Sequence, residues 1–524
     1  MGVAAWLMTS RWSQDRPHAT ALVVGILTIV GYVSLTTCLS DWMIDDAAIT
    51  FAYSKNLAAG HGIVIHPGHA PEEGYSTTLW MLILAAGGWM GADIAVIAKR
   101  ACVGFGALSV ALSLFVCARL SGDRLRFGPL ALGMSVCLGA PFIIWSVSGL
   151  EHSLQAALLA GVVAAPFFPR FQRLLLTGCL SALVLTRPEA PLTVALVGAV
   201  LILRDPTWLQ AKAALRRHWP VVAVPAVVWL ALMAFRAVYF HDTMSNPYYA
   251  KAVDASWFRL INFVGKGWGY LTGWLGNART WLIVPLAMVA PLRRGPLSHQ
   301  LAVAVCLGQV VFILFVNGDW MGSYRFIAPI LPVLATVVVC CLIEAGRRWS
   351  RLSSTAGTLT MVWFLGVATI IQLVNFRAEP TTPTAIVGQI GKTFVELGHR
   401  LGIQDPSLAH HDAGGTSYEA GIDLIDLGGL GDREVAKHMH DRDFIRTYLF
   451  EQRRPTFIFG SSQVFAAKYT EFFRMPEFDQ YVPLRFPGRP FMNAELCHVR
   501  RDAIHPVTGV RLVKDGTTET WIVD

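Results

Sequence analysis

Asp45 and Asp46 stand side by side just after a long apolar run, and Asp41 precedes them, so three acids fall within six residues. A carboxylate in such a place can take a proton from an attacking hydroxyl or help hold a metal ion. It can also cap the helix that follows by accepting its free N–H groups. About fourteen residues of helix-like sequence do follow, closed by Gly60 where a left-handed cap is wanted. Adjacent helical residues point roughly 100° apart, so only one of the pair can cap. The other is left without a structural partner in the local sequence. The pair is therefore expected to be catalytic or metal-binding.

Further polar motifs interrupt the apolar chain. Glu72-Glu73-Gly74-Tyr75 closes the first polar loop, Trp145 to His152 ends an apolar run with Glu151, and Arg187-Pro188-Glu189 sits between two such runs. Tyr239 to Lys251 combines an Asn246-Pro247 turn, Tyr248, Tyr249 and Lys251, while Asn317 to Arg325 carries Asp319 and two glycines. An ionised side chain at mid-bilayer costs about 2.5–3.5 kcal/mol, so these charges belong at a membrane boundary or in a wet cavity. Arg187, Lys251 and Arg325 are the expected phosphate-binding cations, with guanidinium groups able to donate two parallel hydrogen bonds. Each has a plainer alternative. Arg187 can pair with Glu189, Arg325 with Asp319, and Lys251 can rest at the interface beside aromatic residues. Glu73, Tyr75, Glu151, Asn246, Tyr249, Asp319 and Asp412 are the expected substrate-binding residues.

These motifs must be positioned by membrane helices. The 524-residue chain is 54% hydrophobic and only 15% charged, with mean hydropathy +0.48. Soluble domains carry about 25% charged residues, so this composition marks a membrane protein. The net charge of +8 does not point to nucleic acid, because Lys and Arg cluster at the ends of apolar runs. Eight of nine cysteines lie in or beside those runs and there is no CxxC pair, which argues against a disulfide framework. The run 21–39 follows Arg11 and Arg16 and is too long for a typical cleaved signal, so an uncleaved anchor is expected.

At about 20 residues per crossing, candidate spans fall near 20–40, 97–118, 127–147, 153–167, 174–187, 190–204, 219–240, 265–291, 299–316, 326–346 and 355–376. Arg124 and Arg126, Arg170 and Arg173, Arg216 and Arg217, Arg293 and Arg294, and Arg347 to Arg351 then share one side, taken as cytoplasmic. Eleven crossings result if 76–96 makes no net crossing. The loop 41–75, the other polar motifs and the C-terminal part share the opposite face. There an anionic lipid headgroup would meet Arg187, Lys251 and Arg325 together, with Asp45 and Asp46 across the gap, an arrangement suited to group transfer from a phosphate.

From about Glu379 the composition becomes that of a soluble domain. Short β-prone runs at Thr456–Phe459, Tyr481–Phe486, Leu496–Val499, Val510–Val513 and Thr520–Val523 alternate with helical segments, predicting a small α/β domain. The division is thus 1–376, a transmembrane domain, and 377–524, a soluble domain. Glycines between Gly414 and Gly431 allow close approach to a sugar or lipid headgroup, and tight turns explain them equally well. His410, His411 and Asp412 have metal-ligand chemistry but no spaced second ligand set.

The acidic pair, NLAAGHG, EGYSTTLW, SGLEH, LTRPEA, NPYYAK and NGDWMGSYRF together resemble the bacterial GT-C integral-membrane glycosyltransferases, above all the arabinofuranosyltransferase group. The resemblance runs from about Asp41 to Asp432. It implies an α-helical polytopic bundle of about eleven crossings with a C-terminal soluble α/β domain. It also implies transfer of a sugar from a polyprenyl-phosphate donor, with inversion, to a glycan, glycolipid or protein acceptor outside the bacterial plasma membrane. In such enzymes an acid of the first outer loop is the base or binds a divalent metal, a role that carries to Asp45 or Asp46. The sugar, the acceptor and any metal requirement stay open. A transporter or flippase of lipid-linked sugars is the main competing class. Its polar residues would lie near the bilayer midplane in two matched halves, whereas here they gather at one face without an internal repeat. A lipid phosphatase lacks a nucleophile flanked by histidine and arginine.

Overall fold

The computed structural model describes residues 17–122, 127–204, 207–251, 265–280, 295–348, 355–460, 475–485, 497–503, 510–515 and 518–523. They form two compact units. One comprises 1–42, 98–232 and 254–381, and the other 43–97, 233–253 and 382–524. This grouping places the first polar loop with the C-terminal residues, a different partition from the expected linear one at 376/377. Composition marks where a chain is apolar, but not which distant segments share hydrogen bonds.

The first unit is helical. Among the described residues, five helices are long and apolar enough to cross a membrane: His18–Thr37, Ile94–Ser121, Leu209–Tyr239, Leu297–Phe315 and Thr360–Ala378. The expected span 127–147 is instead broken at Leu138-Gly139 into Phe127–Cys137 and Ala140–Trp145, with Pro141 in the first turn of the second piece. The expected span 326–346 opens with a 3₁₀ turn, Ala328–Ile330, before Leu331–Arg348. The expected span 219–240 starts eleven residues early, since Trp208–Tyr239 is one helix with Pro220 and Pro225 inside it. Of 265–291, Lys266–Asn277 is helical, and residues 281–294 lie outside the described set, as do Arg124, Arg126 and Arg351.

In the second unit, the helix Asp45–Ala58 has the predicted fourteen residues, and Gly60 takes φ +84° just beyond it. Thr78–Trp89 is a twelve-residue helix, about 18 Å long at 1.5 Å per residue and short of a bilayer core. The C-terminal residues form a seven-stranded sheet of β1 (Ser407–His410), β2 (Asp423–Asp426), β3 (Phe457–Phe459), β4 (Tyr481–Arg485), β5 (Cys497–Arg500), β6 (Val510–Asp515) and β7 (Thr518–Val523). Its order is β2-β1-β3-β5-β4-β7-β6. β1 runs parallel to both β2 and β3, with His410 opposite Asp426, whereas β3, β5 and β4 pair antiparallel. One core cluster joins Ile49, Tyr53 and Tyr75 to Phe394, Leu424, Phe457 and Phe459, so the first-loop helix shares the apolar core of the sheet.

Candidate functional site

Two constellations of charge stand out, one in each unit. In the helical unit, Gly149 at φ +85° and Ser148, whose hydroxyl donates to Trp145 O at 2.9 Å, form the turn that delivers Glu151 to the start of His152–Ala164. Arg187 follows Gln172–Thr186 in an extended conformation, as the residue before a proline must. Its Nη1 donates to Glu151 Oε1 at 2.6 Å and its Nε to Glu189 Oε1 at 2.9 Å. Gln155 Nε2 donates to the same Glu189 oxygen at 3.2 Å. Arg325 closes the second half of the constellation, with Nη2 donating to Asp319 Oδ1 at 3.0 Å and Nε 2.7 Å from Oδ2. Its turn carries positive φ at Asn317, Gly318, Ser323 and Tyr324.

Both guanidinium groups lie over the ring of Phe326, at 5.9 Å for Arg187 and 5.1 Å for Arg325. Arg325 is also 5.9 Å from the ring of Trp145. The fold therefore brings Glu151, Arg187, Glu189, Asp319 and Arg325 together in a buried cluster. The pairings with Glu189 and Asp319 that the sequence offered as plainer alternatives are present. His152, beside Trp145 and buried, was missed, and a histidine directly after Glu151 was its only sequence signal.

In the second unit Asp45 does not cap its own helix. Ile44 is the N-cap residue and no side chain caps the helix. Asp45 instead accepts the Gly414 N–H on Oδ2 at 3.0 Å and the Gly415 N–H on Oδ1 at 2.6 Å. Its own N–H donates to Thr382 O at 3.0 Å, and the Thr384 hydroxyl donates to Ile44 O at 2.9 Å. Burial pushes its carboxyl well above the usual range, and the charge of Asp412 adds to that. Asp46 is only partly buried.

The remaining first-loop residues are held in place by their neighbours. Glu73 receives a forked pair of hydrogen bonds from Arg236, 2.6 and 2.8 Å long. Glu72 accepts from the Arg433 N–H at 2.8 Å and from Asn246 Nδ2 at 3.2 Å, and burial with the charge of Asp432 pushes it up to about 7. Asn246 also donates its backbone N–H to Glu73 O and its side chain to Leu430 O. Tyr249 donates to Asp242 at 2.6 Å, and Asp242 pairs with Lys437 at 2.5 Å. Tyr75 is buried edge-on against Tyr53, and its hydroxyl has no hydrogen-bond partner among the described residues. Lys251 ends the helix Asn246–Lys251, and its side chain lies outside the described set. Sequence reasoning missed Arg236, although a lone arginine in the apolar run LALMAFRAVYF was a usable signal.

The glycine-rich run after Ile422 is a turn built on Asp426. Its carboxylate accepts the N–H groups of Gly428, Leu430 and Gly431 at 2.7–2.8 Å. His410, His411 and Asp412 bring three ligand-type atoms within 4.8 Å of one another.

Residues 386–500 match a family described as Domain of unknown function (DUF8728). Over 378 residues the chain is 26% identical to the terminal β-(1→2)-arabinofuranosyltransferase of Mycobacterium tuberculosis, covering 62% of this chain and 57% of that one. The protein of the same name from Corynebacterium glutamicum is 25% identical over 382 residues, covering 62% and 51%. The match thus spans little more than half the length of these curated relatives. Among solved structures, ArnT from Cupriavidus metallidurans bound to undecaprenyl phosphate superposes with TM-score 0.54 at 14% identity, over 92% of this chain and 99% of that one. Archaeal oligosaccharyltransferase AglB from Archaeoglobus fulgidus, in complex with an inhibitory peptide and a dolichol-phosphate, gives TM-score 0.50 at 8% identity over 86% and 70%.

By fold, this chain is similar to ArnT and AglB, and among its described residues five helices are long and apolar enough to cross a membrane. Its sequence is similar to two curated terminal β-(1→2)-arabinofuranosyltransferases, the group that its motifs resemble.

Proposed function

We propose that this protein is a membrane glycosyltransferase that takes a sugar, arabinofuranose by analogy with its relatives, from a polyprenyl-phosphate donor. It passes the sugar to a cell-envelope glycan on the extracytoplasmic side of a bacterial plasma membrane. Eleven crossings, with the C-terminal domain outside, complete this reading. The observation that carries it is the buried cluster of Glu151, Arg187, Glu189, Asp319 and Arg325 in a unit of apolar helices. Ionisable groups in such a setting are expensive and mark a functional site.

In the proposed reaction the acceptor hydroxyl oxygen attacks the anomeric carbon and the bond from that carbon to the phosphate oxygen breaks. The polyprenyl phosphate leaves with the electron pair, and a single displacement inverts the anomeric centre. Arg187 and Arg325 stabilise the leaving phosphate, while Glu151 and Asp319 orient the guanidinium planes. From the sequence motifs alone, Lys251 is a further phosphate-binding candidate and Asp46 the candidate base for the attacking hydroxyl. Asp45, with both oxygens committed to backbone N–H groups, positions the loop. Glu73, Asn246 and Tyr249 support the same loop, and Tyr75 offers its hydroxyl to the substrate.

The test is sugar transfer by the purified full-length chain in detergent, supplied with radiolabelled polyprenyl-phosphate arabinofuranose and an arabinan oligosaccharide. Wild type should transfer, and Asp46→Asn should lose at least about 10²-fold in rate. No transfer from any polyprenyl-phosphate sugar, with lipid scrambling that Asp46→Asn leaves intact, would overturn the reading in favour of a flippase.

A further inference from the structure

We propose that His410, His411 and Asp412 form a binding site for a divalent transition-metal ion, with zinc-type ligand chemistry, at the end of β1. This inference uses none of the catalytic groups of the glycosyltransferase reading, although Asp412 is also one of its expected substrate-binding residues.

The argument begins with a hydrogen bond. His410 is fully buried, and its Nδ1 lies 3.0 Å from Phe459 O on β3. A carbonyl oxygen only accepts, so Nδ1 carries the proton and the neutral ring turns the lone pair of Nε2 outward along the opposite edge. That Nε2 is buried and has no hydrogen-bond partner among the described residues. A buried acceptor left unmade costs about 1–3 kcal/mol, so a fold that retains one needs a reason. Imidazoles that ligate metals have this arrangement, one nitrogen fixed to a carbonyl and the other aimed at the ion.

The facing atoms are of the right kind and nearly at the right spacing. Asp412 Oδ2 is 3.7 Å from His410 Nε2, and Asp412 Oδ1 is 3.5 Å from His411 Nε2. Bonds of about 2.0–2.1 Å in a tetrahedron separate their ligand atoms by roughly 3.4 Å, and with one atom from each residue the three lie within 4.8 Å of one another, so side-chain rotation draws them together around an ion. Two imidazoles and a carboxylate suit zinc, cobalt, manganese or iron better than magnesium or calcium, which prefer oxygen ligands throughout. His411 and Asp412 side chains are 16% and 27% exposed, which gives the ion a path in and leaves a coordination position open to water or a substrate oxygen.

Topology supports the same place. β1 lies between β2 and β3, parallel to both, and His410 is its last residue. Ligands of open sheets with parallel strands gather beyond the carboxyl ends of those strands. The sequence alone could not show this, because the second-sphere carbonyl that fixes His410 comes from Phe459, 49 residues away.

Cobalt(II) is the probe. The full-length chain in detergent, stripped with a chelator, is titrated with cobalt(II) while the visible d–d absorption is followed, and zinc(II) is then added. One saturable equivalent of cobalt, displaced by zinc, is expected for wild type and for the remote variant His399→Ala. His411→Ala and Asp412→Asn should each weaken binding by at least about tenfold. The more exposed Asp412 provides a variant that folds should His411→Ala fail. Absence of saturable cobalt absorption in wild type, or unchanged affinity in a folded variant of either residue, overturns the proposal.

Discussion

Gly415 donates its N–H to Asp45 Oδ1 at 2.6 Å across 370 residues of chain. With the Gly414 N–H on the other oxygen, the first-loop acid is tied to the segment that follows β1. These two N–H groups favour the ionised carboxylate and oppose the burial that disfavours it. The adjacent carboxyl groups thus divide their labour, Asp45 holding structure and Asp46 standing partly exposed.

That division predicts different phenotypes for two conservative changes. Asp45→Asn replaces one of two acceptors with an NH₂ group facing a backbone N–H, and should cost about 2–3 kcal/mol. Asp46→Asn should cost less stability than Asp45→Asn while lowering transfer by at least about 10²-fold. Thermal unfolding in detergent, run beside the transfer assay, checks both. Equal loss of stability in the two variants would contradict the assignment.

Gly414 explains why the approach is so close. A Cβ there would lie 1.9 Å from Asp45 O, a backbone atom that cannot swing aside. Gly414→Ala should therefore destabilise by about 3 kcal/mol, at the upper end of overpacking costs. Gly178, in the helix Gln172–Thr186, has nothing within 4 Å of its would-be Cβ. Gly178→Ala should be neutral or stabilise by about 0.5–1 kcal/mol. Unfolding midpoints of the two variants, measured together, decide the matter.

The helix Asp45–Ala58 was legible in its length and in the Gly60 turn beyond it, which are local properties, whereas the capping offered for Asp45 is replaced by bonds to Gly414 and Gly415. Strands β3 to β7 were legible for the same reason, each a β-prone run between turn residues. Strands β1 and β2 were not, for Ser407–His410 and Asp423–Asp426 are four residues long with polar ends. Their pairing is supplied by neighbours rather than by pattern. The cations Arg187 and Arg325 were singled out from their motifs, but Phe326, whose ring both face, was not. An aromatic residue after an arginine looks like any other in an apolar run.

Glu73 and Arg236 test the cost of a buried ion pair. Arg236→Leu leaves the buried Glu73 carboxylate without its cation and should cost about 3–5 kcal/mol. Pairing it with Glu73→Leu removes the orphaned charge, so the double variant should recover most of that loss. A double-mutant cycle on unfolding free energies measures this directly, and a double variant as unstable as the sum of the single changes would rule it out.

Glu72 gives a pH dependence whose sign follows from its surroundings. Burial, with Asp432 nearby, raises its carboxyl from the ordinary 4.5 to about 7. A carboxyl with a raised native value holds its proton more tightly folded than unfolded. Its favourable contribution is therefore complete below about pH 4.5 and fades as pH climbs to about 7. Over that window the folded state should lose on the order of 3 kcal/mol through this group. Glu72→Gln keeps an oxygen to accept the Arg433 N–H but does not titrate. The difference in unfolding midpoint between wild type and Glu72→Gln should favour wild type progressively less from about pH 5 to about pH 8. A difference that stays flat, or grows with pH, would show that the carboxyl is already ionised at the acid end, with the Arg433 N–H and Asn246 outweighing its burial.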